Sequence, residues 1–192
     1  RELYAQPSGR AVAKELSALD VHCQNFIHIS PFFILSTVGK DGKVDASPRG
    51  GKPGFVHILN ETSLLVPDAK GNNRLDSLTN IIETGQAGLL FFVPGIDETL
   101  RINGKVSLSI DPAHLGLFPD EQHPPKVCIL LEVEEAFLHC AKALMRSKLW
   151  DPEAQIDRSE FPTMGRMLKD QIGGNGPIES QEDMVKRYQK DL

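Results

Sequence analysis

The stretch "FFILSTVGKDGKVDASPRGGKPG" (residues 32–54) decides the fold and raises the first question about function. It opens with a run of β-forming residues (32–38), passes through an Asp-Gly turn signal in "GKDGK" (39–43), and returns with "VDAS" (44–47). Two such runs around an Asp-Gly turn are typical of an antiparallel hairpin. A β-meander is therefore predicted to begin near residue 32.

The end of this stretch, "SPRGGKPG" (47–54), has two interpretations. It places Arg49 and Lys52 among glycines and prolines in a chain whose formal net charge is −5. A surface hairpin loop accounts for the turn-forming residues. An anion site, most naturally for a phosphate, accounts for two cations in a stretch rich in backbone N–H groups.

Further strands follow at hairpin spacing. They are predicted in "FVHIL" (55–59), "SLLVP" (63–67), "AGLLFFVPG" (87–95), "TLRINGKVSLSI" (99–110) and "KVCILLEVEEAFLHC" (126–140). In the 99–110 run, apolar residues from Leu100 to Ile110 share one parity, and Gly104 breaks the row. The glycine therefore predicts a bulge or a close backbone approach. Six or seven antiparallel strands without βαβ units predict an α+β fold with a closed or nearly closed barrel.

Helical patterns interrupt and flank these strands. In "GNNRLDSLTNIIETG" (71–85), Leu75, Leu78 and Ile82 predict one face of a small inserted helix, with Asn73 as its N-cap and Gly85 at its end. Segments 1–29 and 141–192 are predicted to be helical, the second being an amphipathic tail. We expect one domain over residues 1–192, with the barrel at about 30–140.

Composition excludes several classes of protein. The chain has 192 residues, of which 40% are hydrophobic and 24% charged, and its pI is about 5.7. The absence of a basic block argues against nucleic acid as a partner. No apolar run approaches the roughly 20 residues that span a bilayer. Because the first residues also lack an apolar signal-peptide core, a cytoplasmic location is predicted.

The three cysteines do not form a recognisable framework. Cys23, Cys128 and Cys140 make no C-x-x-C pair, and His22-Cys23 and His139-Cys140 are adjacent pairs, which point apart on a strand or helix. This spacing is not that of a structural zinc site. We expect no metal, and thiols with a structural role.

Three cationic features favour an anion site. Besides Arg49 and Lys52, Arg74 falls in the first turn of the inserted helix, where a cation is unfavourable unless a negative group is nearby. Arg101 lies mid-strand near Gly104. The alternatives are an exposed Arg74 in water and an outward charge at Arg101 on a half-exposed sheet.

Recognisable catalytic motifs are missing. The sequence has no G-x-G-x-x-G after a strand, no Walker A motif, no G-x-S-x-G and no H-E-x-x-H. No general acid–base pair is evident, so no catalytic residue is nominated. Phosphate-binding features without acid–base groups indicate a protein that binds a phosphorylated cofactor and leaves the chemistry to it.

Four motifs in order carry a family resemblance. They are "SPRGGKPGFV", "LLVPDAKGNNRLDSLTNI", "GLLFFVPGIDETLRINGKVSL" and "EEAFLHCAKALMRSKLWDP". Together they resemble the pyridoxamine 5′-phosphate oxidase-like family of FMN-binding split β-barrels, and within it a subgroup of FMN-dependent bacterial enzymes. The resemblance covers residues 30–155. It implies an antiparallel split β-barrel and a homodimer with FMN at the subunit interface.

The resemblance also implies where FMN contacts the first half of the barrel. Arg49 would meet the phosphate or the ribityl chain, and Asn73 and Arg74 would hold the phosphate. Pro67 would line the flavin through its backbone. The full set of cofactor-binding positions that it implies is Arg49, Pro67, Asn73, Arg74, Arg101, Asn103, Lys142, Arg146, Ser147 and Trp150.

The second half would approach the same flavin from the other subunit. Arg101 and Asn103 belong to the approaching strand, and the segment after His139 would lie near the cofactor. In that segment Trp150 would pack on the ring or serve as a buried structural residue.

Departures from the family leave the substrate open. Pyridoxamine phosphate oxidases carry an R-K pair where this chain has Asn73-Arg74, and an R-L-x-P type ending where it has "YQKDL". These differences argue against oxidation of vitamin B6. We expect an FMN-dependent oxidoreductase acting on a small molecule or electron donor. The alternative is a non-catalytic flavin, F420 or heme binding module on the same fold.

Overall fold

The computed structural model describes residues 3–4, 6, 9–119, 123–173 and 176–191. The helices are α1 (Arg10–Ala13), α2 (Val21–Ile29), α3 (Asp76–Thr84), α4 (Pro112–Leu115), α5 (Lys142–Ser147), α6 (Met164–Ile172) and α7 (Gln181–Tyr188). The strands are β1 (Phe32–Val38), β2 (Val44–Gly50), β3 (His57–Asn60), β4 (Ser63–Pro67), β5 (Gln86–Val93), β6 (Ile96–Ser109) and β7 (Cys128–His139).

The seven strands form one antiparallel sheet in the order β2-β1-β5-β6-β7-β4-β3. In a flat sheet, β1 and β3 would lie five strand spacings apart, or about 24 Å. However, the ring of Phe33 in β1 stacks on that of Phe55, just before β3, with 5.7 Å between centroids. The sheet is therefore strongly curled around a single core. The predicted α+β fold with an antiparallel split barrel, an inserted helix and helices at both ends is confirmed.

A bulge at Gly104 brings β6 and β7 into close contact. The register shifts so that Asn103 pairs with Glu135 but Gly104 pairs with Val133, which leaves Glu134 as the extra residue. A Cβ on Gly104 would lie 1.9 Å from the carbonyl oxygen of Glu132. The predicted bulge and close approach are both present. Ile110 lies beyond the end of β6 and is exposed, so its predicted place in the buried row was wrong.

The inserted helix differs in detail from the prediction. It begins at Asp76, and Leu75 is the N-cap rather than Asn73. Gly85 ends it in the left-handed conformation (φ 64°), as predicted. The buried face is Ser77, Leu78 and Ile81, whereas Leu75 and Ile82 are exposed. Leu75 precedes the first helical turn and so cannot contribute to a helical face.

The terminal segments attach differently to the barrel. On the N-terminal side, Leu16 forms a two-way backbone bridge with Ala136 of β7, while Leu19 and Phe26 are buried in the core. On the C-terminal side, α6 and α7 contain no buried residue. The end of the tail contacts the body of the protein through an ion pair between Lys70 and Asp191.

Among the residues described, no helix combines the length and the apolar character needed to cross a membrane.

Replacement of Gly104 by alanine should destabilise the barrel. The new methyl group would collide with backbone rather than with a movable side chain, and we expect a loss of at least about 2 kcal/mol in the free energy of unfolding. Chemical denaturation measures this loss. Gly50→Ala is the matched control, because its Cβ would meet only ordinary contacts, the nearest at 3.5 Å. Equal stability of the two variants would contradict the role given to the bulge.

Candidate functional site

The "SPRG" segment (47–50) belongs to a strand and not to a loop. Ser47 to Gly50 complete β2 and pair with β1, and the turn comes only afterwards, with the N–H of Phe55 donating to the carbonyl of Lys52. The surface-loop interpretation of Arg49 was therefore wrong, because the ladder with β1 extends through it. Lys52 lies exposed in the turn itself.

Alternation along β2 places three polar side chains on its inner face. Asp45, Ser47 and Arg49 are each partly buried, whereas the residues between them are exposed. Arg49 pairs with Phe33, a fully buried core residue. Because directly opposite residues of a ladder point to the same face of the sheet, the Arg49 side chain lies on the inner face. These side chains face the start of α3, where Ser77 is buried.

Arg49 is incompletely satisfied. Its Nη1 donates to the Pro48 carbonyl at 3.1 Å and its Nη2 to the Ser77 hydroxyl at 3.3 Å. The Ser77 hydroxyl in turn donates to Asp45, which also accepts from Ser47 at 3.0 Å. The Nε of Arg49 is buried without a hydrogen-bond partner in the described part of the chain. A buried unpaired donor is costly, so this group is prepared for an acceptor.

Arg74 approaches the same place from the loop before α3. Its side chain is exposed and pairs with Asp76, and this hydrogen bond, followed by the nearby charge of Asp45, raises the pKa of Arg74. Asn73 has a positive φ of 61°, which turns the chain into the helix. The α3 N-cap makes no side-chain hydrogen bond, so the first N–H groups of the helix lack the usual cap.

Asp68 completes this group. Its carboxyl is half-buried, and burial raises its pKa, while the charge of Arg49 opposes the shift. The preceding Pro67 is buried at the end of β4, paired with Cys128. We call the set Asp45, Ser47, Arg49, Asp68, Arg74 and Ser77 the β2–α3 cluster. Sequence reasoning missed Asp45, Ser47, Asp68 and Ser77, although the two-residue period of "VDASPR" was a signal for the first two.

A second polar group lies on the outer face of the sheet. Arg101 donates through Nη2 to Glu135 at 2.6 Å, and Asn103 donates to the same carboxylate oxygen at 3.0 Å. The guanidinium of Arg101 lies over the ring of Phe137, 4.1 Å from its centroid. The Nε of Arg101 is also buried without a partner among the described residues.

The Gly104 bulge creates this arrangement. Before the bulge, Leu131 and Val133 of β7 point into the core; after it, Ala136 does so. The extra residue therefore inverts the parity and turns Glu135 and Phe137 outward, beside Arg101. A bulge that re-aims side chains in this way is a recognised device at sites.

The two arginines cannot meet within one chain. Arg49 faces inward on β2 and Arg101 outward on β6, three strands away in the sheet order. Three strand spacings correspond to about 14 Å. The structure therefore places Arg49 and Arg74 near one carboxylate, that of Asp45, and separates Arg49 from Arg101 and Asn103.

The residues predicted after His139 form a third group. In α5, the Nε of Arg146 donates to the Lys142 carbonyl, and the Ser147 hydroxyl to that of Leu144. The indole N–H of Trp150 donates to the Ile96 carbonyl at 2.9 Å, which fixes α5 on the β5–β6 turn. An open cleft of about 420 Å³ lies there, lined by Gly95, Asp97, Leu144, Met145, Lys148, Trp150 and Asp151.

Within the described ranges, no three histidine, cysteine, aspartate or glutamate side chains converge as metal ligands would.

Comparisons with known proteins agree with this fold. The structure is similar to HupZ of Group A Streptococcus, with a TM-score of 0.53 and 14% identity over 62% of this chain and 93% of that one. It is similar to a Lactobacillus delbrueckii protein provisionally named a pyridoxamine 5′-phosphate oxidase, with a TM-score of 0.51 and 19% identity over 65% of this chain and 98% of that one. At these identities the likeness shows the fold alone. No curated protein sequence matches.

The family model for pyridoxamine 5′-phosphate oxidase matches residues 19–140, which is more than half of the chain and includes both polar clusters of the sheet. The chain belongs to the pyridoxamine 5′-phosphate oxidase family.

Proposed function

We propose that this protein is an FMN-binding flavoprotein and an oxidoreductase, with each flavin held between two copies of the chain. The β2–α3 cluster of one protomer would bind the phosphate, and Arg101 and Asn103 of the other would approach the flavin. The observation that carries the proposal is the pair of arginines on opposite faces of the sheet, each with a buried Nε that has no partner among the residues that the structure describes. One chain alone cannot direct both at one ligand.

The phosphate fits the β2–α3 cluster. Arg49 and Arg74 supply guanidinium groups, Ser77 supplies a hydroxyl, and the uncapped start of α3 supplies backbone N–H groups with a favourable dipole. Arg74 must exchange Asp76 for the ligand. This exchange is inexpensive, because solvent screens an exposed ion pair.

A partner copy fits the outer face. Alongside the arginine, this face presents apolar side chains that are only partly covered, namely Phe32, Ile34, Leu90, Phe92 and Phe137. Such a surface around polar anchors is typical of a protein interface. Gly88 belongs to the same face, and the amide of Asn103 lies over it, 2.8 Å from where a Cβ would stand.

When bound, FMN would supply hydride or electron transfer, which no residue of this chain offers. The role of the chain is to hold the phosphate, orient the ring and admit a small-molecule substrate or electron donor. No nucleic acid is proposed as a partner. A cytoplasmic location is part of the proposal, because Cys23, Cys128 and Cys140 are all free thiols, as a reducing compartment favours.

The alternative is a binding module without turnover, for flavin, F420 or heme. A visible spectrum of the purified protein distinguishes flavin from heme, and calorimetric titration with FMN and riboflavin tests the phosphate assignment. Equal affinities for FMN and riboflavin would contradict the phosphate site. Reduction of the bound flavin by NAD(P)H, followed by reoxidation, would distinguish an enzyme from a module.

Arg49→Ala and Arg74→Ala should each weaken FMN binding by roughly 10- to 150-fold, because each removes a charge-assisted hydrogen bond worth about 1.5–3 kcal/mol. Riboflavin binding should not change. Arg166→Ala is the matched control for Arg74, since Arg166 is also exposed and pairs through Nε with a nearby aspartate. Unchanged FMN affinity in Arg74→Ala would make Arg74 a solvated surface residue.

Arg101→Ala should weaken FMN binding and uncouple it from dimerisation. If two protomers share one flavin, FMN strengthens the dimer by the same factor by which the dimer strengthens FMN binding. Analytical ultracentrifugation of the FMN-free and FMN-loaded protein over a dilution series measures this coupling. A monomer that holds FMN with undiminished affinity at high dilution would refute the shared site.

Asp68→Asn should stabilise the protein at neutral pH by up to about 1 kcal/mol. Because burial raises the folded-state pKa of Asp68, its charge opposes folding above that pKa, and the cost disappears as pH falls below the unfolded value near 3.9. Thermal unfolding from pH 4.5 to 7.5 should therefore show a stability difference that grows with pH. A constant or inverted difference would contradict this.

A further inference from the structure

Three cationic or titratable side chains surround one aromatic ring on the outer face. The Nζ of Lys14 lies 4.8 Å from the centroid of Phe137, and the guanidinium carbon of Arg101 lies 4.1 Å from it. The imidazole of His139 contacts the same ring, with 4.8 Å between centroids. We call Lys14, Arg101, Glu135, Phe137 and His139 the Phe137 cluster.

The cluster has unused donors. Within the described part of the chain Lys14 gives one hydrogen bond, at 2.7 Å to the Leu138 carbonyl, although an ammonium group has three N–H donors. The buried Nε of Arg101 has no partner among the residues described. Glu135 is the carboxylate that faces these groups, and it is already engaged by Arg101 and Asn103. Two permanent cations against one carboxylate make the cluster locally positive in a chain of net charge −5.

His139 adds a response to pH. Burial lowers the pKa of its imidazole, and the charges of Arg101 and Lys14 lower it further, against the opposing effect of Glu135. The groups that face it thus come from the N-terminal segment, β6 and β7. An anion placed among them would favour the imidazolium and bind more tightly as the pH falls.

We propose that the Phe137 cluster binds an oxyanion, a carboxylate or phosphate group, carried by the substrate or electron donor. Its placement beside the flavin rests on the proposed function, through Arg101. The phosphate of FMN itself belongs to the β2–α3 cluster on the opposite face of the sheet, three strands away. The proposed function assigns Arg101 to the flavin but gives Lys14 no ligand. The unused N–H groups of Lys14, which shares the Phe137 ring with His139, are therefore available for a second ligand.

The test is calorimetric titration of the FMN-loaded protein with inorganic phosphate and, separately, with succinate. Lys14→Ala should weaken anion binding at least about threefold through loss of a charge-assisted contact, and Lys14→Arg should largely retain it. Lys105→Ala is the matched control, because Lys105 is an exposed lysine on the same strand as Arg101 and is paired with Glu134. The preferred anion identifies the group that the ligand carries.

The same titration at several pH values tests the contribution of His139 to anion binding. Affinity for the preferred anion should rise as the pH is lowered from 8 to 5.5. The His139→Gln substitution should remove most of that rise and leave the flavin absorbance unchanged. Absence of anion binding, or equal binding by Lys14→Ala and the parent protein, overturns the inference and leaves the proposed function intact.

If the protein takes up no FMN, the proposed function fails separately. The same titration is then made on FMN-free Arg49→Ala protein, in which the first anion site is weakened. If the double variant Arg49→Ala/Lys14→Ala no longer binds the anion, the anion site is supported and only its placement beside a flavin is refuted. Unchanged binding would refute the site.

Discussion

Side chains on a β-strand alternate strictly between the two faces of the sheet, and the candidate site depends on this constraint. On β2 it turns Asp45, Ser47 and Arg49 toward α3, and on β6 it turns Arg101 and Asn103 away from the core. A shift of one residue in either strand would exchange polar and apolar faces. The hydrophobic core therefore fixes the register, and the register assigns the two arginines to opposite sides of the sheet.

The bulge opposite Gly104 breaks the alternation of side chains along β7. Without the extra Glu134, Glu135 and Phe137 would share the inward parity of Leu131 and Val133 and would enter the core. Burying a carboxylate there would be strongly unfavourable. The same backbone feature that requires a glycine on β6 thus supplies the acid and the aromatic ring of the outer face.

The sequence predicted the strands well because each is a local pattern between turn signals. The hairpin at 32–47 could be predicted from two β-forming runs around an Asp-Gly turn. The bulge at Gly104 could be predicted from a glycine that interrupts an alternating row of apolar residues. The inserted helix was harder, because its start is set by contacts with β2 that are distant in sequence; the cap at Asn73 and the burial of Ile82 were therefore wrong. The sequence motifs named Arg49, Arg74 and Arg101. They did not show that Ser77 contacts Arg49 and that Asp68 lies within reach of its charge, or that Lys14 and Phe137 gather at Arg101, since such arrangements arise only when distant segments meet.

The C-terminal tail contacts the loop of the candidate site through exposed polar groups. Its last turn is fastened by the exposed Lys70–Asp191 pair to the loop that also carries Asn73 and Arg74. The ring of His123 lies 3.0 Å from the Lys190 carbonyl. Water and dissolved salt screen an exposed ion pair of this kind. The attachment of Asp191 to the loop before α3 therefore weakens as ionic strength rises, whereas the apolar core of the curled sheet does not respond in this way.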